Sequence, residues 1–228
     1  MRIDWLSVRN FKGFIETTLN FPRDPDAPAA SNGSFHLIVG ENGTGKTSAL
    51  DALAVAAGSW LLGIKDFDSR HIQNEDIRLK EVIYPDTVRF ERQFPVTVEA
   101  GGVVLGREMR WMRVRDAWKK RTTWKNASII KDAAEDAGAR ARKGEDVTLP
   151  VVSYYGTGRL WQEPKDMRHG ALAGARPPNP SFDDSLAFGE HPYDGSRLEG
   201  YRFSVDPRCD PRTWIRWLHR EKQVTIEQ

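Results

Sequence analysis

The sequence is nearly without cysteine: Cys209 alone among 228 residues. This excludes an internal disulfide framework and predicts a reducing compartment. The five histidines are dispersed, and only His219 lies at a helical distance from Cys209, which argues against a His/Cys metal site. Long apolar runs are missing as well: the most apolar stretch, residues 50–64, carries Asp51 and falls short of the roughly 20 residues that cross a bilayer, so no membrane partner is expected. Asp4 stands where a secretory segment would need apolar residues, so no export signal is expected and the predicted location is cytoplasmic. Charge of one sign is scarce too. Lys and Arg total 34 against 32 Asp and Glu, a net +2, and no global field draws the protein onto nucleic acid or anionic lipid. Any basic partner surface has to be local.

What is present reads as a globular α/β protein, 39% hydrophobic and 29% charged. Residues 3–8 and 15–19 are short β-formers joined by Lys12-Gly13, a hairpin. Residues 22–33 form a loop by composition. Residues 35–39 (Phe-His-Leu-Ile-Val) have the character of a central strand buried on both faces. Residues 48–63 carry apolar side chains around the whole helical wheel, an enclosed helix stopped by Gly63. Even positions from Val88 to Val98 alternate with polar ones, predicting a strand, and Gly101-Gly102 is read as the turn into a second antiparallel strand over 103–114. Asn126 is the expected N-cap of a helix whose apolar side is Ile129, Ile130, Ala133, Ala134 and Ala137 and which ends near Gly144. Residues 149–155 read as another strand. Residues 163–200, rich in Gly and Pro and aperiodic, are expected to form a long mobile loop, and Asp210-Pro211 opens a last helix with Trp214 and Trp217.

One motif carries specific chemistry. Gly40-Glu41-Asn42-Gly43-Thr44-Gly45-Lys46-Thr47 fits G-x-x-x-x-G-K-[ST] at every fixed position, between a predicted strand and a predicted helix. Glycines permit positive φ and remove Cβ atoms, so successive amides can converge on one anion at the positive end of a helix. Lys46 adds a full charge that reaches β- and γ-phosphates, and the Thr47 hydroxyl suits the shell of Mg²⁺. The expected nucleotide contacts are Asn42, Gly43, Thr44, Gly45, Lys46, Thr47 and Ser48, with ATP and Mg²⁺ as cofactors. A chance match has odds of about one in a hundred for a chain of this length. There is no dinucleotide fingerprint, because Ser48 stands where its third glycine would be.

Kinases and GTPases usually place this loop right after the first strand, whereas here a hairpin precedes it. The pattern Ile3-x-x-Leu6-x-Val8-x-Asn10-Phe11-Lys12-x-Phe14, followed by Gly40 to Thr47 and Ser48-Ala49-Leu50-Asp51-Ala52-Leu53, resembles the amino-terminal half of SMC/RecF-like ATPases of the ABC class. The segments around 149–161 and 200–217 also resemble the ATPases that accompany nucleases in Septu-type anti-phage systems. The resemblance implies a P-loop core like the first lobe of an ABC-type head, over residues 1–162, with a β-hairpin insertion at about 84–125, the loop at 163–200, and a helical segment at 201–228 leading to a second lobe that is missing from the chain.

It further implies ATP-driven engagement with a second head as a homodimer, and service to DNA or to an effector nuclease in repair or anti-phage defence. Lys12, in the position of the family's basic residue, and Asn10 beside it are implied nucleotide neighbours; Lys12 read from its surroundings alone is equally a solvated turn residue. The family's metal-touching glutamine has no counterpart before Gln162. Neither an apolar strand ending in Asp-Glu nor a Leu-Ser-x-Gly segment occurs, so the chain is expected to bind ATP without turnover and its catalytic carboxylate stays unassigned.

Residues 107–125 hold eight basic residues against Glu108 and Asp116, interleaved with Trp111, Trp118 and Trp124. Arg110, Arg113, Arg115, Lys119, Lys120 and Arg121 are candidates for nucleic-acid contact. A solvated hairpin edge with the tryptophans as its inner face is the plainer reading. A nucleic-acid-binding module using the basic hairpin 107–125, with the P-loop structural or regulatory, is the alternative function, and a small-molecule phosphotransferase a third.

Overall fold

The computed structural model describes residues 1–22, 34–65, 67–85, 87–156, 197–201 and 204–206. The chain divides into two compact units, Met1–Val152 and Ser153–Gln228. In the first, antiparallel strands β1 (Arg2–Phe11), β2 (Phe14–Asn20), β5 (Val96–Val104) and β6 (Arg107–Arg115) form one sheet in the order β2-β1-β5-β6. Strands β3 (Leu79–Tyr84) and β4 (Thr87–Arg92) form a separate hairpin. Helix α1 (Lys46–Ala57) continues into a 3-10 helix, Gly58–Gly63, and α2 (Ser128–Arg142) follows the sheet. The class is α/β as the composition implies, with antiparallel sheets.

Parity decides what the sheet buries. Cross-strand neighbours share a face, and the rows Leu6–Ala100–Trp111 and Val8–Val98–Arg113 all point into the core. Against them lie Ala52, Val55 and Ala56 of α1, with Trp60 and Leu61 beyond, all buried. Each large side chain so enclosed contributes about 1.5–3 kcal/mol. The Trp111 indole donates to the Ala56 carbonyl at 2.9 Å, so the core's largest ring on β6 also ties the sheet to the helix that follows the glycine loop.

Several expectations change. Residues 35–39 form no strand: Phe35, Leu37 and Val39 are 89%, 75% and 79% exposed, and residues 149–155 form no strand either. Both have strand composition, but a ladder needs a neighbouring strand, and neither segment joins a described sheet. The strand expected over 88–98 is broken at Gln93–Pro95, where Pro95 has no amide to give a ladder. Gly101 and Gly102 lie inside β5. A Cβ on Gly101 would sit 2.4 Å from the Trp5 indole nitrogen, and one on Gly102 2.1 Å from the Arg2 carbonyl, so these glycines admit β1 at its bulge. The turn is instead Leu105-Gly106, both at positive φ (49° and 77°).

The 48–63 helix tightens to 3-10 after Ala57. Asn126 sits in a short 3-10 turn, Lys125–Ala127, so Ala127 and not Asn126 precedes α2. Ile130, Ala134, Ala137 and Gly138 are its buried residues while Ile129 is exposed, and Gly144 follows it at φ 78°. In the second unit, Arg197–Tyr201 forms a 3-10 helix and the Tyr154 amide donates to the Ser204 carbonyl at 2.7 Å. The rest of the expected 163–200 loop, the helix with Trp214 and Trp217, and Gln162 lie outside the described residues.

Candidate functional site

The glycine loop enters α1 through two left-handed residues, Gly43 (φ 86°) and Gly45 (φ 93°). Any side chain is strained there, and at Gly45 a Cβ would also come within 2.8 Å of the Phe14 ring from the β1–β2 hairpin. Thr44 closes the turn, its hydroxyl donating to the Glu41 carbonyl at 2.8 Å. The Lys46 ammonium folds back over the loop and donates to the carbonyls of Gly40 (2.7 Å) and Glu41 (2.5 Å). No side chain caps α1 and no acidic residue occupies its first turn. Its leading amides therefore open toward solvent beside a lysine, with residues 41–44 and Thr47 exposed. Such an arrangement suits an anion with several acceptor oxygens. Glycines that a Cβ would disrupt, uncapped amides, Lys46 and the Thr47 hydroxyl fit a nucleotide phosphate, with Thr47 the side chain able to join a Mg²⁺ shell. When bound, that metal would neutralise phosphate charge.

Behind the loop lies an ion network that residue spacing does not reveal. Asp51, buried in the second turn of α1, accepts from the Lys12 ammonium and from Arg70 Nη2 at 2.7 Å. Lys12 also faces Asp76 at 3.4 Å, and its amide donates to the Asp76 carbonyl at 2.7 Å. Asp76 is fully buried and accepts from the Gln73 amide at 2.9 Å; burial raises its carboxyl pKa above the ordinary range. Lys12 thus pins the hairpin tip to α1. Asn10, at φ 53°, donates through Nδ2 to the Pro95 carbonyl at 3.0 Å. Both residues that the family resemblance brings toward the nucleotide hold partners within the fold.

The basic segment divides into two sets. Arg113 and Arg115 are buried, so they are withdrawn from the surface a nucleic acid could touch. The reason is strand parity: with Met109 and Trp111 they occupy the core-facing positions of β6. Arg113 Nε donates to the Thr123 carbonyl at 3.1 Å, and Nη2 lies 3.3 Å from His71 Nδ1. Burial pushes the Arg113 pKa down to about 10, so it remains charged at neutral pH. Arg110 is exposed and paired with Glu99 at 2.5 Å. Lys119, Lys120 and Arg121 are exposed.

His71 titrates against this buried charge. Desolvation first, and then Arg113, lowers its pKa below 6.5, which favours the neutral ring. Its contribution to stability is complete above pH 6.5 and is lost as pH falls through the lowered value. Asp76, raised by burial, acts in the opposite sense, its contribution being complete below pH 3.8 and lost as pH rises through the raised value. His71 is itself exposed, so solvent screens the effect; against His71→Gln, wild type is expected to lose more stability on acidification below pH 6.5, with a slope well under the one-proton limit of about 1.4 kcal/mol per pH unit. Urea midpoints measured between neutral and mildly acid pH test this, and parallel curves would remove His71 from the account.

Among the described residues no helix is long and apolar enough to cross a membrane. A comparison with curated proteins finds no match. A family model described as an AAA domain matches residues 6–206, which takes in the hairpin, the glycine loop, α1 and the basic strand. That match spans most of the chain and agrees with the glycine loop at the head of α1: the protein belongs to the AAA domain family, whose fold is that of nucleotide-binding ATPases.

Proposed function

We propose that the chain binds ATP with Mg²⁺ at Asn42, Gly43, Thr44, Gly45, Lys46, Thr47 and Ser48, as the gripping part of an SMC/RecF-like, ABC-class head. The observation that carries this reading is the open N-terminus of α1, uncapped by any side chain, beneath a loop with two left-handed glycines and Lys46 folded across it. Among the described residues Lys46 is held by two backbone carbonyls of that loop, an arrangement an entering phosphate replaces with a stronger, charge-assisted contact. On this reading bound nucleotide favours engagement with a second head, in a cytoplasmic setting, serving DNA repair or an anti-phage effector nuclease. Turnover needs a carboxylate to orient water, and the chain offers none in the family's pattern; steady phosphate release by the purified chain would count against that part of the reading.

Calorimetry with ATP and Mg²⁺ tests the grip. Lys46→Ala is expected to weaken binding at least tenfold, consistent with the loss of a charge-assisted contact of about 1.5–3 kcal/mol. Equal affinity in the variant and wild type would show that the nucleotide, if bound, lies elsewhere.

A further inference from the structure

The eight basic residues between 107 and 125 do different things once folded. Arg113 and Arg115 act as internal struts for the segment that joins β6 to α2. Arg115 Nη1 donates to the Ile72 carbonyl at 2.9 Å, and its Nη2 reaches Asn74 Oδ1 at 2.7 Å and the Trp118 carbonyl at 2.8 Å. Arg113 holds the Thr123 carbonyl, the Thr123 amide returns to Val114 at 2.7 Å, and the buried Thr122 hydroxyl accepts from the Ile72 amide at 2.9 Å. The segment is therefore fixed at its start, its middle and its end.

What this framework holds outward is Lys119, Lys120, Arg121 and Lys125, all exposed and none in an ion pair among the described residues. The one acidic residue in the segment is Asp116. Between the cations stand two indoles that the fold does not enclose, Trp118 at 40% and Trp124 at 54% exposure. The Arg92 guanidinium stacks 3.8 Å from the Trp118 ring, adding a fifth cation, and Lys131 lies 5.6 Å over Trp124.

We propose that residues 116–125, with Arg92, form a binding surface for single-stranded nucleic acid: the cations meet phosphates, and Trp118 and Trp124 stack unpaired bases. Aromatic rings and guanidinium planes both offer faces to a base, and every base has a face to return, which suits a surface with no hydrogen-bonding code. A duplex would use the cations and leave the rings idle. An anionic membrane would require the Trp118 ring to enter the headgroup boundary with a guanidinium stacked on it. Because the struts order the cations beforehand, binding does not have to order the loop. The surface is independent of the glycine loop and stands whether or not nucleotide binds there.

The test uses the full 228-residue chain and fluorescein-labelled oligo(dT) and oligo(U), read by anisotropy over a range of salt. Combined Lys119→Glu, Lys120→Glu and Arg121→Glu is expected to weaken binding tenfold or more and to flatten the log–log salt slope by about 2, at roughly 0.7 per phosphate contact on a single strand. Trp118→Ala with Trp124→Ala is expected to weaken binding severalfold without changing the slope, and Trp→Phe at both positions to restore most of it. Restoration by phenylalanine separates lost stacking from lost folding. Arg107→Glu, exposed at the far end of β6, is the charge control and is expected to bind as wild type. Unchanged binding in the triple reversal overturns the proposal. So do equal affinities for duplex and single strand with silent tryptophan variants, and so does binding to phosphatidylserine vesicles but not to either oligonucleotide.

Discussion

Gly63→Ala is expected to lower stability by about 3 kcal/mol or more, enough to leave a marginal domain largely unfolded. A Cβ at this position would lie 2.0 Å from the Lys131 carbonyl oxygen, 2.7 Å from the Glu135 amide nitrogen and 2.8 Å from the Ala134 Cβ. Two of these are backbone atoms of α2, so no rotamer change relieves the clash; the 3-10 helix Gly58–Gly63 and α2 would have to separate. Separation would in turn strip cover from Trp60, Leu61, Ile130 and Ala134, all now buried. Gly13→Ala is the matched control, since a Cβ there meets nothing within 4 Å. Urea unfolding of the two variants checks the prediction, and similar midpoints would mean that the helices can shift apart at little cost.

The second large effect is expected at Asp51. Asp51→Ala removes the carboxylate that Lys12 and Arg70 share while leaving both cations in place, with Arg70 and Asp51 side chains at 8% and 7% exposure. Breaking a buried pair from one side costs about 3–5 kcal/mol, because the remaining charge keeps its desolvation penalty. Lys12 retains Asp76, so the loss should fall toward the lower end of that range. The double variant Asp51→Ala, Lys12→Met is expected to recover part of the loss, giving a coupling energy in a double-mutant cycle. Additive losses would mean that the hairpin tip and α1 are held by packing alone. Since Asp51 lies in the helix that begins at Lys46, the same variants should loosen the register between the glycine loop and Phe14, which rests against Gly45.

How much of this was legible depends on whether the determining chemistry is local. The glycine loop was, because positive φ at Gly43 and Gly45 and the reach of Lys46 are set within a few residues. The β1–β2 hairpin was, through its two runs of β-forming residues on either side of Lys12-Gly13. Residues 35–39 were misread because composition reports a taste for ladders but cannot supply the neighbour. Gly101-Gly102 looked like a turn, yet those glycines exist for Trp5 and Arg2, a hundred positions earlier in the chain. Arg113 and Arg115 were counted as surface charge, although the parity of Met109 and Trp111 on the same strand already placed them inward. The Lys12–Asp51–Asp76 network joins three separate segments, and no periodicity announces it.

The pairing of β1 with β5 has a kinetic consequence. Arg9 meets Thr97, so the glycine loop, α1 and the β3–β4 hairpin all lie within one closed stretch of about 90 residues, whose closure costs about 4 kcal/mol of chain entropy by (3/2)RT ln n. That entropy must be lost before the central ladder gives anything back, which makes the sheet a late event. During synthesis, then, Gly40 to Thr47 leaves the ribosome well before Val96 can dock. The phosphate cradle acquires its support only once a strand made some fifty residues later has come home.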